Sequence, residues 1–600
     1  MNMRALLGAS AIVGSLFALS LEASAQTAST PQGSELPSEE QAGPSQNSEV
    51  TVTGTRIRLP NTVSQEPIVT IGSDYLEARN LTNVADALNE IPGIRGSVTP
   101  NGTQGSYGQG VNFANAYGLG SNRTLTLVNG RRVVTSNVAS IFGNASGGTQ
   151  VDLNILPTIV IDSVDRVGVG GAPIYGSDAI AGTINIKLRN RFKGLEVRAT
   201  TGITERGDNQ RINLSAIAGR DFAEGRGNIT IAGMYETVKG MVQNDRDFYR
   251  DNLGSLQNPT TSEARRFGPA GRTPGNDGRV NPNIGFNDST TDGFPGSVLV
   301  RDLSIASMAY GGLIIAPAGA TSLRSLDYAR QFDQFGNLVP FNPGIVFQGS
   351  TTAPPITGSA ARSSSTKDGF RFSDVTQITG DQKRIAANVF ANFDLTEEVK
   401  LFAEGMYYHG RGDQLLRQPT FNSSLFGVAS AALNFSVNNP FLTDQARQTL
   451  TQAGYSTFRL SRANLDLADV TGYSENDLYR GVLGASSDFK LGGRDYQAEI
   501  ALTYGRNDFV DYNQAINQQN FVNAVNVGRN AAGEIVCTTT PTVLATPGFA
   551  PVADAACRPL NLFGQGVASR EALNYVIQDV TATSRFEQFV LNAKDRKSVV

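Results

Sequence analysis

From Leu195 onward the chain alternates. LEVRATTGIT sets Leu195, Val197, Ala199 and Ile203 against Glu196, Arg198 and Thr200, and RINLSAIAG sets Ile212, Leu214, Ala216 and Ala218 against Arg211, Asn213 and Ser215. RIAANVFANFDL repeats the scheme, as do VKLFAEGMYY, YRGVLGASSDFKL and RDYQAEIALTYG, each about ten residues long. A period of two over that length predicts strands that cross a bilayer, apolar face to lipid and polar face to a lumen. The connections alternate too. DFAEGRG (221–227), DLTEEVK (394–400) and the turn around LGGRD (491–495) are tight, whereas 242–382, 410–477 and 513–582 are long and polar. Short turns on one side and long loops on the other are what a membrane meander gives. Loops of that length without structure argue against an ordinary compact domain. Seven strands are expected, with an eighth begun near Phe586 to Ala593.

Upstream the period changes. LTNVADALNEIPGI places Val84, Leu88 and Ile91 on one helical face, and Pro92-Gly93 ends the helix. In RTLTLVNGRRVV two β-runs flank Asn129-Gly130, a strong short hairpin signal. IDSVDRVGV then leads through GGAPIYGSDAIAG into TINIKLR. Residues 61–190 therefore read as a small mixed α+β globule, set before a barrel segment at 193–600.

The N-terminus has a different character. Arg4, an apolar run and Ala23-Ser24-Ala25 predict a signal peptide over 1–25. Residues 26–48 carry no basic or aromatic side chain and are expected to stay disordered. EVTVTGTRI (49–57) follows, a short β-forming stretch beside a tail that cannot fold.

Composition narrows the chemistry. A net charge of -4 gives no footprint for nucleic acid, and one His with two Cys makes a metal or haem site a poor expectation. Ser364 to Lys367 matches S-x-x-K only within a Ser/Thr-rich loop, and GVGGAPIYG lacks dinucleotide spacing. No P-loop occurs, and His409, beside Tyr407 and Tyr408, fits an aromatic girdle better than catalysis. No enzyme activity and no cofactor are expected.

EVTVTGTRI, NVADALNEIPGI, GLGSNRTLTLVNGRRVV, PIYGSDAIAGTINI and CRPLNLFGQG occur in one order, and the chain resembles the TonB-dependent outer-membrane receptors of Gram-negative bacteria. The resemblance implies a membrane β fold: an antiparallel transmembrane β-barrel, incomplete in this chain, with an N-terminal α+β plug in its lumen. Such barrels have about 22 strands. AKDRKSVV does not look like a barrel end, so a fragment or truncated product is expected.

The resemblance also implies roles. Glu49, Val50, Thr51, Val52 and Thr53 would be the TonB box, a loose peptide that adds as a strand to TonB, the partner energised from the inner membrane. A bulky nutrient, siderophore or oligosaccharide, would bind at the cell surface and be imported across the outer membrane. A surface-binding or adhesin-like barrel, a passive porin and a non-functional truncated receptor are the alternatives. Outer-membrane lipid is the remaining partner.

In the plug, Gly118, Gly120, Gly130 and Gly176 would permit tight turns, with Asn129 in the hairpin. Arg123, Arg131 and Arg132 would pair with lumen carboxylates, the preferred reading, or with an anionic substrate, and Asp178 would cap the turn before Ala179-Ile180. Tyr117 stands where many relatives have Arg, and Gly168-Val169 where they have a charged pair. The family's acidic–basic run is thinned to Asp162, Ser163 and Asp165. These departures put the usual plug–barrel charge contacts in doubt. Cys537 and Cys557 fall in one external loop of an oxidising compartment, where a disulfide is favoured over metal binding.

Overall fold

A computed structural model describes residues 68–101, 108–136, 150–168, 172–250, 254–257, 297–300, 304–305, 308–316, 324–342, 345–348, 362–364, 368–414, 433–468, 472–491, 494–544 and 550–597. The expected signal peptide, linker and TonB box (Glu49–Thr53), and Ser365–Lys367 of the S-x-x-K match, lie outside the described residues.

The N-terminal globule is built on a mixed five-stranded sheet. Its strands are β1 (Ile68–Gly72), β2 (Thr124–Val128), β3 (Arg131–Arg132), β4 (Ile161–Val167) and β5 (Gly182–Leu188), in the order β1-β4-β5-β2-β3. Only β2 and β5 run parallel within it. Two short helices, α1 (Ser73–Ala78) and α2 (Val84–Asn89), cover one side. Helix α2 starts where the Asn83 side chain accepts from the Ala85 N–H, and it buries Val84 and Leu88 against Ile155, Ile159, Val164 and Ile186. Asn129 and Gly130 both take positive φ (51° and 71°), the two-residue turn that matches strand twist.

Eight further strands form one antiparallel sheet in sequence order. They are β6 (Gly194–Gly202), β7 (Arg211–Phe222), β8 (Gly227–Val238), β9 (Gln382–Asp394), β10 (Val399–Gln414), β11 (Gly472–Leu491), β12 (Arg494–Ile516) and β13 (Ile577–Lys597). Neighbours pair residue for residue, as from Phe222↔Gly227 to Arg211↔Val238. This is the wall of an incomplete transmembrane barrel, with the globule as the plug against its inner face. Among the described residues no helix is long and apolar enough to cross a membrane.

The outward positions explain where lipid lies. Ile229, Ile231, Leu483, Leu502, Phe589 and Leu591 are exposed on that face. Phe222–Phe393 and Phe489–Tyr496, with ring centroids 6.0 and 5.6 Å apart, border this band near the tight turns. Tyr407–Tyr479, at 5.2 Å, borders it on the other side. From Tyr496 to Tyr504 the strand covers about 26 Å at 3.3 Å per residue, close to the apolar height of an outer-membrane barrel. The strands are longer than the ten residues expected, up to 23 in β12, because they continue past the aromatic girdle. There the outward side chains are charged: Arg411, Glu475, Asp477, Arg506 and Asp508.

The long loops are not structureless. Segments from all three meet in a six-stranded sheet, ordered Leu338–Pro340, Arg330–Phe332, Leu313–Ile315, Thr457–Ser461, Leu433–Ser436 and Val543–Leu544. Phe332, Phe435 and Phe458 close around Phe563 at centroid distances of 5.0, 5.1 and 5.8 Å. Each loop alone holds too few apolar residues for a core; together they bury one. The free edge at Leu338 is capped by Gln445, whose side chain accepts from the Leu338 N–H and donates to its carbonyl. A capped edge cannot recruit another strand.

Candidate functional site

The plug meets the wall through three polar contacts stacked along the strands. The one nearest the tight turns is built on the β2–β3 hairpin. Because Asn129-Gly130 reverses the chain in two residues, Arg131 projects from the plug into the wall. Its Nη1 lies 3.0 Å from Glu404 on β10 and its Nη2 3.0 Å from Glu499 on β12. The guanidinium also sits 4.5 Å from the Phe402 ring centroid. Arg480 on β11 holds the second oxygen of Glu404 at 3.0 Å, and Lys594 on β13 lies 3.4 Å from Glu499. Asn129 adds a hydrogen bond from Nδ2 to Glu404. One plug arginine thus ties four strands. Ion pairs this buried have little water to compete with them, and losing one partner would leave a charge stranded.

The next contact centres on Glu236 of β8. Arg384 of β9 approaches it at 2.6 Å and donates to Asn154 of the plug at 2.7 Å, while the Thr82 hydroxyl donates to Glu236 at 3.0 Å. Beside it Asp152 is fully buried, accepting from the Asn112 and Asn154 backbones and from Asn476 Nδ2 of β11. Burial pushes the Asp152 carboxyl up to about 6, against these bonds and the Arg384 charge, which pull it down.

The outermost contact is made mainly by backbone. The Gln109 N–H donates to Ser474 Oγ at 2.9 Å, and a Cβ at Gly110 would fall 3.0 Å from the Gly412 Cα. Asn101 forms an isolated bridge with Thr379, so the plug apex joins the strand that leads into the external lobe. Only glycine permits this approach at Gly110, where φ is +75°.

The other residues singled out from sequence lie elsewhere. Gly118, Gly120 and Gly176 adopt positive φ (71°, 109° and 93°) in plug turns. Arg132 and Arg123 do not reach the wall: Arg132 binds Asp178 and the Tyr175 carbonyl, and Arg123 donates to Leu119 O at 2.7 Å. Asp178 is therefore the partner of Arg132, and it lies within the short turn Ser177–Ala179, whose N-cap is Gly176. Tyr117 takes φ +56°, and its ring lies 4.8 Å from the Arg166 guanidinium, a contact within the plug. The charge contacts with the wall persist in spite of the sequence departures, because Arg131 and the Glu236 group supply them. Cys537 and Cys557 are joined by a disulfide with an S–S distance of 2.06 Å in the external lobe. His409 lies on the outward face, Nδ1 3.0 Å from Asp477.

Sequence reasoning did not find Asp152, Glu236, Arg384, Glu404, Arg480 or Glu499. The four wall carboxylates and arginines on β8 to β11 had a visible signal, a charge at a lumen-facing position of an alternating strand.

Residues 60–183 match the model of the TonB-dependent receptor plug domain. The chain carries a TonB-dependent receptor plug domain. Three solved receptors are similar to it at low identity. A mutant ferric enterobactin receptor from Pseudomonas aeruginosa, solved with enterobactin, is 11% identical, with 89% of this chain matching 56% of that one at a TM-score of 0.36. The open form of the ferric-catecholate import receptor Fiu from E. coli K12 is 11% identical, with 90% matching 58% at 0.34. The siderophore receptor PiuA from Acinetobacter baumannii is 12% identical, with 90% matching 56% at 0.34. The chain thus spans little more than half the length of these structures. Likeness at that level says nothing of its cargo.

Proposed function

We propose that this receptor binds a bulky nutrient at the surface of the outer membrane and imports it when TonB draws on the Glu49–Thr53 box. Arg131 supports the reading most directly. A plug held to four wall strands by one hairpin blocks passive flow and needs work to move, which a porin or an adhesin does not. The external lobe and the plug apex, joined through Asn101 and Thr379, would hold the cargo above the plug. The chemistry leaves the cargo's bonds intact: binding energy shifts the plug, and TonB supplies the force.

The test is growth of a deletion strain across single iron and carbohydrate sources, restored by the receptor. Val50→Pro, which removes a backbone donor from the box, should abolish restored growth while the protein stays in the membrane. Undiminished growth of that variant would defeat the proposal.

A further inference from the structure

Among the described residues, the outward positions of β6 to β9 between the aromatic girdles hold one charge, Arg220. On β7 these positions run Leu214, Ala216, Ala218, Arg220 and Phe222, with Ile231 opposite Ala218 and Ile229 opposite Arg220. The Phe222–Phe393 pair marks the girdle on the side of the tight turns. Arg220 therefore stands about 7 Å along the strand on the hydrocarbon side of that girdle. No described carboxylate is paired with it. Its neighbour Asp221 turns to the lumen, where it accepts from Asn228 Nδ2 at 2.8 Å. A guanidinium at this depth has to reach the headgroup layer or meet an anion there.

Two more cations gather at the same edge. Gly194 pairs with Gly219, which brings Lys193 up beside Arg220. Lys193 is 80% exposed, with Nζ 3.7 Å from Asp221. The Arg226 guanidinium stands 5.5 Å from the Phe393 ring centroid, on the girdle itself. Its turn is held in place: Arg191 donates to the Gly225 carbonyl at 2.7 Å, and the Asp394 N–H to the Arg226 carbonyl at 2.8 Å. Cations elsewhere on the wall's ends are arranged differently. Lys400 lies 3.8 Å from Asp488 on the same rim, and at the external end Arg411, Arg506 and Arg585 are each held by a carboxylate.

Tight turns mark the periplasmic side of such a wall, where the leaflet is phospholipid. We propose that Arg220, Arg226 and Lys193 hold the phosphate of an anionic phospholipid of that leaflet, with its acyl chains along Ala216, Ala218 and Ile231. The phosphate oxygens accept from both guanidinium forks. A zwitterionic lipid binds less well, because its own ammonium competes for the phosphate.

The chain has no Trp, so Ala218→Trp installs a single reporter beside the site. The full chain is placed in mixed vesicles of phosphatidylglycerol and phosphatidylethanolamine, with one lipid or the other brominated to quench the reporter. Phosphatidylglycerol should be enriched there by about fivefold, the attraction of one basic side chain near a lipid surface. Adding Arg220→Gln/Arg226→Gln should bring the preference to one, whereas Arg220→Lys/Arg226→Lys should keep most of it; circular dichroism reports folding. Leu483→Trp, used alone on the far part of the lipid face, should show no preference. Equal quenching by the two lipids at position 218, a preference unchanged in the Gln pair, or the same preference at position 483 overturns the site. Loss of the preference on adding inorganic phosphate would assign the cations to a free anion and overturn the lipid as their ligand.

Discussion

Arg131 and Glu404 are 273 residues apart in the chain and 3.0 Å apart in space, each only 7% exposed. The pair joins a hairpin of the plug to the centre of the wall, and with Arg480 on the far oxygen it forms a buried triad. Removing one member exposes what the others cost.

Glu404→Ala should therefore loosen the plug more than Arg131→Ala, since it strands Arg480 and leaves Arg131 only Glu499, where the latter leaves Glu404 still held by Arg480 and Glu499 by Lys594. The loss expected for breaking a buried pair is about 3–5 kcal/mol. Protease nicking of the plug and entry of large antibiotics, compared with wild type, check the order.

Asp152 gives the plug a pH response. Its folded value of about 6 lies above the ordinary 3.8, so the folded protein holds the proton more tightly than the unfolded chain. That stabilisation is complete below about pH 4 and is lost as pH rises through about 6. Urea resistance of the plug should fall across this window, and Asp152→Asn should flatten the response.

Leu483 is 64% exposed on the outward face between the girdles. Leu483→Arg should cost about 2–4 kcal/mol at that depth, measured by reversible unfolding into lipid vesicles. A cost near zero would mean that this face does not meet hydrocarbon.

Phe563 touches three aromatic rings drawn from two other loops. Phe563→Ala should destabilise the lobe by about 3–5 kcal/mol and expose all three loops to protease together. Cleavage confined to one loop would contradict a shared core.

The Cys537–Cys557 bridge closes a loop of 20 residues, worth about 3 kcal/mol in the chain-entropy account. A Cys537→Ser/Cys557→Ser pair should lower the melting temperature of the lobe, and reductant should do the same to wild type and nothing further to the variant.

The strands and the plug hairpin were legible because their signals are local. Val197 faces lipid since it stands two residues from Leu195, and Asn129-Gly130 turns because both residues tolerate positive φ. Arg131 could be named as a plug cation, but its neighbours Arg123 and Arg132 looked the same. What separated them was the direction of the β2–β3 hairpin, which aims one of the three at β10 and β12. The lobe was illegible for a related reason. Phe332, Phe435, Phe458 and Phe563 sit in segments that read as polar, and no window of sequence contains two loops.

Period, turn residues and composition by themselves determined that this chain makes lipid-facing antiparallel strands behind an α+β plug, because backbone pairing and side-chain alternation are set by near neighbours. Which charges meet across the lumen, and that three loops share one core, were decided only by the tertiary structure. Those contacts join residues a hundred or more positions apart, and their energies exist only once the sheet has curved around the plug.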